Sequence, residues 1–315
     1  MGDKPFKTHE ELIAILIQRG IKIDSDDDKA YAKTVLAKEG YYNLINGYNK
    51  LFLDPNAGPD HYKSGTTLYE IHALYQFDRV LRDIFFRYIL RVETHVKNLI
   101  AYYFPMKYGH NNYLLYNNFN TKAKDAQTNI TALISEIQRQ IASRTSDPSI
   151  SHYLKEYGYI PLWVLNNILT FGTISKFYSL MQIKERQDVS RTFGIMDNEL
   201  ENALMYLSSI RNFCAHGNRL YCYKTKKSLI DTKLHDQTGI AKNNKNEYIQ
   251  GKRDLFAALI ALRRLLSHND YKRMVEELSR ALYNLNKKLS VLSPEDVLKE
   301  MGFPSNWKTL GSLPN

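Results

Sequence analysis

One short segment of the chain, Arg211-Asn212-Phe213-Cys214-Ala215-His216, has residue types and spacing that could cleave RNA. We call it the reactive segment. Near pH 7 a neutral His216 can accept a proton from a ribose 2′-hydroxyl, or its protonated form can donate one to a leaving 5′-oxygen. A nearby Arg211 can stabilise the charge that develops on the phosphorane. These two roles suffice for metal-independent cleavage, which would leave a 2′,3′-cyclic phosphate and a 5′-hydroxyl.

The reactive segment is expected to end an amphipathic helix that Asp197 could cap. At about 100° per residue, Arg211 shares a face with apolar residues, which are Leu200, Ala203, Leu204, Leu207, Ile210 and Cys214. A guanidinium keeps its charge at any ordinary pH, so Arg211 there requires a carboxylate partner, a dimer interface or a phosphate ligand. Asn212 and His216 are four residues apart and share another face, just before the helix-ending pair Gly217-Asn218.

The same residues also allow a purely structural interpretation. Arg211 would then pair with a carboxylate such as Asp78, and His216 would stabilise the helix C-terminus through the helix dipole. A metal site is not predicted, because His216 has no neighbouring Cys, His or carboxylate ligands in the sequence.

The composition favours a polyanionic partner. Among 315 residues there are 43 Lys and Arg against 33 Asp and Glu, which gives a formal net charge of +10 at pH 7. The 23 tyrosines would suit either base stacking or amphipathic interfaces. The charge alone is also compatible with a solvated basic surface that only aids solubility.

The sequence indicates neither a secreted nor a membrane protein. The chain has two cysteines, Cys214 and Cys222, and lacks a disulfide framework. Its first residues run into a mixed polar segment rather than the apolar stretch of a signal peptide. Because no window of about eighteen uncharged apolar residues occurs, we expect a cytoplasmic protein without a membrane partner.

Periodicity and capping signals predict an all-α protein. The longest helix is expected to open at the capping box Thr67-Leu68-Tyr69-Glu70 and to end near Phe104, before Pro105. Its buried stripe is predicted to consist of Ile71, Leu74, Asp78, Leu81, Phe85, Tyr88, Val92, His95 and Leu99. Two members, Asp78 and His95, are polar, so they either satisfy each other inside the bundle or support the reactive segment.

Shorter helices are predicted on both sides of this long one. They begin at the capping box of Thr8 with Glu11, near Ser25, at Pro161 and at Ser293, or span about 130–143, 254–267 and 271–289. Leu220-Tyr221-Cys222-Tyr223 could pair in a short hairpin. We predict three regions: an N-terminal helical unit over 1–60, a helical bundle over 61–218, and a basic loop or hairpin with C-terminal helices that pack on the bundle over 219–315.

The chain also resembles known families. Arg211-Asn212-x-x-x-His216 resembles the Arg-x4–6-His signature of HEPN-domain ribonucleases. Nearly end to end, the chain resembles the Abi-type abortive-infection family of bacterial phage-defence proteins. The residues that carry this second resemblance are, in order, Arg19-Gly20, Gly40-Tyr41-Tyr42-x5-Gly47-Tyr48, Phe77-Asp78-x-x-Leu81-Arg82, Ala215-His216-x-Asn218-Arg219-Leu220-Tyr221 and Gly302-Phe303-Pro304-x-x-Trp307.

The resemblance implies a HEPN-like helical bundle that works as a homodimer. In HEPN proteins two copies of the signature usually meet across a dimer, and this chain carries one clear copy. In Arg91-Val92-Glu93-Thr94-His95 the Arg and His are too close together to form a second. The catalytic residues of the composite site would be Arg211, Asn212 and His216. Some relatives pair with a small antitoxin RNA, and such an RNA would suit the basic residues Arg219, Lys224, Lys226 and Lys227.

Three functional hypotheses remain. The first is a phage-defence, toxin-type endoribonuclease that needs no cofactor and is held inactive until infection. The second is a catalytically silent RNA-binding or assembly module in which Arg211 is structural. The third is transfer of a nucleotide to a target, but the sequence has no Gly-rich phosphate loop or paired-carboxylate metal motif to recommend it.

Overall fold

The computed structural model describes residues 5–313, and its regular elements are all helical. Within this range no β-strand forms, and isolated bridges join only single residues. The all-α prediction is therefore confirmed. The α-helices are α1 (His9–Gln18), α2 (Asp26–Glu39), α3 (Leu68–Tyr108), α4 (Ala126–Ala142), α5 (Pro148–Tyr157), α6 (Leu162–Leu165), α7 (Phe171–Leu180), α8 (Ile183–Arg191), α9 (Asp197–Ala215), α10 (Lys233–Gln237), α11 (Leu255–Leu265), α12 (His268–Asn286) and α13 (Pro294–Met301). A π-helical turn covers Tyr42–Asn46, and 3₁₀ turns cover Lys50–Phe52, Tyr116–Asn118 and Trp307–Gly311.

Helix α3 is the axis of the fold, because α6, α8, α9 and α12 all pack against it. It opens at the predicted capping box, in which the Glu70 N–H donates to Thr67 Oγ1 at 3.3 Å and the Thr67 N–H donates to Glu70 Oε2 at 3.4 Å. The predicted end at Phe104 is wrong. Helix α3 continues one turn past Pro105, and the Gly109 N–H closes this turn on the Pro105 carbonyl at 2.8 Å. A proline this close to a C-terminus removes one hydrogen bond without unwinding the last turn.

The buried stripe of α3 follows the prediction only through its first six turns. The buried members are Ile71, Leu74, Asp78, Leu81, Phe85, Tyr88 and Val92. His95 is exposed and Leu99 is half-buried, whereas Val96, Ile100 and Phe104 are buried instead. An ideal helix drifts by about 20° per heptad relative to a 3.5-residue repeat, so the buried face moves off the predicted seam.

Of the two alternatives predicted for Asp78 and His95, a pair between them is wrong. The two residues are 17 positions apart on one helix, which separates them by roughly 25 Å along its axis. The His95 ring packs on Phe193 instead, with ring centroids 4.9 Å apart.

Several helix starts agree with prediction, and a side chain caps each of them. Ser25 and Ser293 form capping boxes, and Asp254 Oδ1 accepts the Ala257 N–H at 3.1 Å. Helix α12 is also capped, by Ser267, but it begins at His268, three residues before the predicted start. Helix α4 has no side-chain cap, and it begins at Ala126, four residues before the predicted start. Helix α5 was not predicted, although Asp147 caps it and Pro148 occupies its first turn.

One continuous cluster of buried side chains joins these helices, from Ile13 in α1 to Leu310 near the end of the described range. Of the helices described over 5–313, none is long and apolar enough to cross a membrane. The three predicted regions stay a prediction.

Candidate active site

Helix α9 carries the reactive segment at its C-terminal end. Its N-cap is Met196, whose N–H donates to Glu199 Oε2 at 2.9 Å. The prediction that Asp197 caps this helix is wrong, because Asp197 lies in the first turn and pairs with Arg186 at 2.9 Å.

The last turn of α9 ends at His216. The His216 N–H donates to the Asn212 carbonyl at 3.1 Å, and Gly217, with φ of +68°, then turns the chain out of the helix. Both side chains, Asn212 and His216, are exposed. The predicted end of the helix at Gly217-Asn218 is confirmed.

Arg211 lies against α3 and has a carboxylate partner. Its Nε is 3.5 Å from Glu93 Oε2, and its guanidinium carbon is 5.5 Å from the centroid of the Phe86 ring. Lys97 forms a second ion pair with Glu93, in which its Nζ lies 2.8 Å from Glu93 Oε1. The sequence predicted that Arg211 needs a partner, but the partner is Glu93 and not Asp78.

The contact between Arg211 and Glu93 is an ion pair without a hydrogen bond. Arg211 Nε and Glu93 Oε2 are both buried, and neither has a hydrogen-bond partner within the described chain. The Glu93 side chain is 6% exposed, whereas that of Arg211 is 26% exposed. The outer part of the guanidinium therefore reaches the surface, where its Nη1 lies 3.5 Å from Asn212 Oδ1.

His216 faces a cleft of about 510 Å³, which we call the His216 cleft. The π turn Tyr42–Asn46, helix α3 and the chain after α9 form its walls. Its polar lining includes Tyr42, Asn43, Asn46, Arg82, His216 and Arg219.

Arg211 is not among the residues that line the His216 cleft. His216 follows Arg211 by five positions, so the two side chains leave α9 about 140° apart. Within one chain, the two side chains predicted to act together thus face different surfaces.

Two guanidinium groups are fixed in the His216 cleft. Arg82 Nη1 donates to Asp78 Oδ2 at 2.5 Å and to the Asn218 carbonyl at 3.2 Å. Arg219 Nη1 donates to the carbonyls of Asn46 at 3.1 Å and Gly47 at 3.0 Å. In each group, Nε and Nη2 make no hydrogen bond within the described chain. These atoms can therefore donate to an anion.

Gly47 gives Arg219 the room to cross the π turn. A Cβ at Gly47 would lie 3.4 Å from Arg219 Cδ. Both residues belong to the motifs that carry the Abi resemblance. Their contact in the structure is a physical reason for the two motifs to occur together.

Asp78 holds the chain that follows His216. Its fully buried carboxylate accepts the backbone N–H groups of Leu220 at 3.0 Å and Tyr221 at 2.7 Å, and the Tyr48 hydroxyl at 2.7 Å. Burial raises the pKa of Asp78, while the donors from Tyr48, Arg82 and the backbone oppose that shift. The ionised carboxylate is the form that can accept from all of these donors.

The hairpin predicted over residues 220–223 does not form. The N–H groups of Leu220 and Tyr221 are directed at Asp78 and are not available for a strand partner. The chain then runs back along α9: the Tyr223 ring stacks on Phe213 at 3.7 Å, and the Ile230 N–H donates to Asn202 Oδ1 at 2.8 Å.

This return along α9 separates the four predicted RNA-binding residues. Arg219 lines the His216 cleft, whereas Lys224, Lys226 and Lys227 are exposed on the returning segment. Lys227 Nζ lies 3.2 Å from the sulfur of Met205, more than two turns before the end of α9.

Sequence reasoning assigned no role to three residues that the structure places at these surfaces, namely Tyr42, Arg82 and Glu93. Tyr42 and Arg82 both lie in segments that carry the Abi resemblance, so a signal for them existed. Glu93 gave no such signal, because helical phase places it beside the stripe of α3 and does not indicate which side chain it meets. His95, predicted as a supporting residue, lies outside the His216 cleft. Over residues 5–313, no group of three or more His, Cys, Asp or Glu side chains is placed to hold a metal ion.

Comparison with known proteins identifies a family. The sequence model of a family described as Abi-like protein matches residues 34–222, three-fifths of the chain. The match runs from α2 to just beyond Tyr221, so it includes Asp78, Arg82, the reactive segment and Arg219. No curated protein and no solved structure matches the chain significantly.

Proposed function

Since the chain belongs to the family of Abi-like proteins, we propose that it is a metal-independent endoribonuclease that acts in the bacterial cytoplasm. The family supports a role in abortive infection, that is, in defence against phage. Cleavage of RNA is the chemistry that we assign to this role.

The observation that carries the proposal is the position of His216. Its exposed ring makes no hydrogen bond within residues 5–313, and the cations Arg82 and Arg219 line the same cleft. A phosphodiester held by these cations would place its ribose and leaving oxygen beside an imidazole that can transfer protons. The 2′-oxygen would attack phosphorus and the bond to the 5′-oxygen would break. His216 would accept the proton of the 2′-hydroxyl and donate it to the leaving 5′-oxygen.

We further propose that the complete site is shared by two copies of the chain. Arg211 and His216 diverge within one chain, whereas a second copy could bring its own Arg211 to the same phosphate. The partly exposed guanidinium of Arg211 supports this arrangement. Sedimentation that shows a monomer at micromolar concentration, both with and without RNA, would exclude the shared site.

A catalytically silent RNA-binding module is the second candidate, and one observation favours it. Arg211 already has a carboxylate partner in Glu93 and a ring partner in Phe86, as a structural arginine would. In that case the basic surface would bind RNA without cleaving it.

Incubation of the purified protein with mixed RNA in EDTA separates the two candidates. The enzyme should produce 2′,3′-cyclic phosphate ends, and His216→Ala should abolish them while circular dichroism stays unchanged. Retention of RNA without new ends would favour the silent module. An antitoxin RNA, if one controls the protein, should copurify with it and suppress cleavage when added back.

A further inference from the structure

We propose that the His216 cleft holds one unpaired nucleotide of the RNA, with its base against the ring of Tyr42 and its phosphate on Arg82 and Arg219. The inference deepens the proposed function and rests on it, because it names the part of the substrate that enters the same cleft.

Tyr42 provides a free aromatic face. Its side chain is 77% exposed, and its ring packs on no other ring within the described chain. By contrast, the other two tyrosines of the cleft are packed in place, since the Tyr48 ring lies edge-on to Tyr75 at 5.2 Å. An exposed ring on a structured turn, in a cleft with cations, has the geometry on which unpaired bases stack.

The π turn Tyr42–Asn46 places two amides beside this ring. Leu44 and Ile45 point into the core, which leaves the side chains of Tyr42, Asn43 and Asn46 exposed on the side of the cleft. Neither Asn43 nor Asn46 uses its side-chain amide in a hydrogen bond within residues 5–313. Each amide offers both a donor and an acceptor, as the edge of a base requires.

Two cations, Arg82 and Arg219, line the same cleft as Tyr42 and could bind the phosphate of the nucleotide. Arg82 and Arg219 are each fixed through Nη1, so their remaining N–H groups are oriented before a ligand arrives. Among the described residues that line the cleft there is no carboxylate to repel an anion. A volume of about 510 Å³ suits one nucleotide rather than a duplex.

Binding to a cleavage-inactive protein tests the inference separately from catalysis. The full chain carrying His216→Ala is titrated with a fluorescent single-stranded RNA of mixed sequence, and with the same RNA paired in a duplex. We expect the single strand to bind more tightly. In this background Tyr42→Ala should weaken its binding by about tenfold, and Tyr42→Phe should leave it unchanged. The matched control is Tyr102→Ala, which removes another exposed ring, 64% exposed on α3, and should have no effect.

The outcomes distinguish this inference from the proposed function. If binding depends on Tyr42 and the wild-type protein never cleaves RNA, the nucleotide site is supported and the enzyme is refuted. If the protein cleaves RNA, and Tyr42→Ala changes neither the KM of cleavage nor the Kd for single-stranded RNA, the enzyme is supported and the nucleotide site is overturned. Absence of any binding to single-stranded RNA would overturn both.

Substitution of the two amide side chains, Asn43 and Asn46, provides a second test. If Asn43 and Asn46 contact the base, Asn43→Ala and Asn46→Ala should change the relative affinities for oligonucleotides of A, C, G and U. Equal losses for all four would show that the amides do not contact the base.

Discussion

The buried carboxylate of Asp78 accepts the backbone N–H of Tyr221 at 2.7 Å, across 143 residues of sequence. Because Asp78 lies on α3 and Tyr221 follows the exit from α9, this contact fixes the chain five residues beyond His216. The long helix thus positions the proposed catalytic residue through the backbone that follows it.

Replacing this carboxylate should destabilise the protein. Asp78→Asn turns an acceptor of several donors into an amide whose N–H₂ group faces another donor, and it leaves Arg82 without its ion-pair partner. We expect the free energy of unfolding to fall by about 3 kcal/mol in urea denaturation. The control is Asp83→Asn, an exposed position on the same helix. Equal effects of the two substitutions would refute the role of Asp78.

The ion pair of Arg211 with Glu93 should contribute a modest coupling energy. Their atoms are 3.5 Å apart without a hydrogen bond, and Arg211 is partly exposed. A double-mutant cycle with Arg211→Ala and Glu93→Gln, followed by urea unfolding, should give about 1 kcal/mol. The control residue is Arg144, which is exposed and forms no ion pair in the described chain. The effects of Arg144→Ala and Glu93→Gln on the free energy of unfolding should therefore be additive. Additivity for Arg211 as well would contradict the pairing.

Asp254 should make stability depend on pH. Burial raises the pKa of Asp254 to about 6, from 3.8 in the unfolded chain. Between these values the unfolded chain releases a proton that the folded protein retains, so the contribution of this group to stability falls as pH rises. The loss should total about 3 kcal/mol and be complete above pH 6.

The measurement is the difference in unfolding free energy between the wild type and Asp254→Asn, followed from pH 3 to pH 7. Asparagine can still cap α11, so the difference should shift by that amount in favour of the variant. Asp147→Asn, the same change at the N-cap of α5, is the control. A pH-independent difference at Asp254 would show that its carboxyl is not destabilised by burial.

Arg219 should matter more for RNA binding than Lys226 does. Both side chains are exposed, but that of Arg219 is held in the cleft by two carbonyls, whereas Lys226 lies on the segment beside α9. In the His216→Ala background, Arg219→Ala should weaken binding about fivefold and lower the slope of log K against log salt by about 0.7. Equal losses for the two variants would indicate an RNA path along α9 rather than through the cleft.

Local features of the fold could be predicted because their causes are local. Thr67 and Glu70 form a capping box from neighbouring residues, and the start of α3 follows from them. Helical phase also showed that Arg211 needs a partner. It did not identify Glu93, because which helix faces Arg211 depends on packing between elements that are distant in the sequence.

The same limit explains the hairpin. The residue pattern around Leu220 and Tyr221 is compatible with a strand. Their N–H groups donate to Asp78, however, so they cannot donate to a neighbouring strand. The His216 cleft was likewise not predictable as a whole, since its walls come from three separate parts of the chain.

The contact of Asp78 with Leu220 closes a loop of 142 residues. Closing so long a loop costs conformational entropy before any native contact across it forms, so this step belongs late in folding. During synthesis it cannot occur until Tyr221 has left the ribosome. A growing chain therefore carries His216 without a complete cleft until the residues that follow it, as far as Tyr221, have emerged.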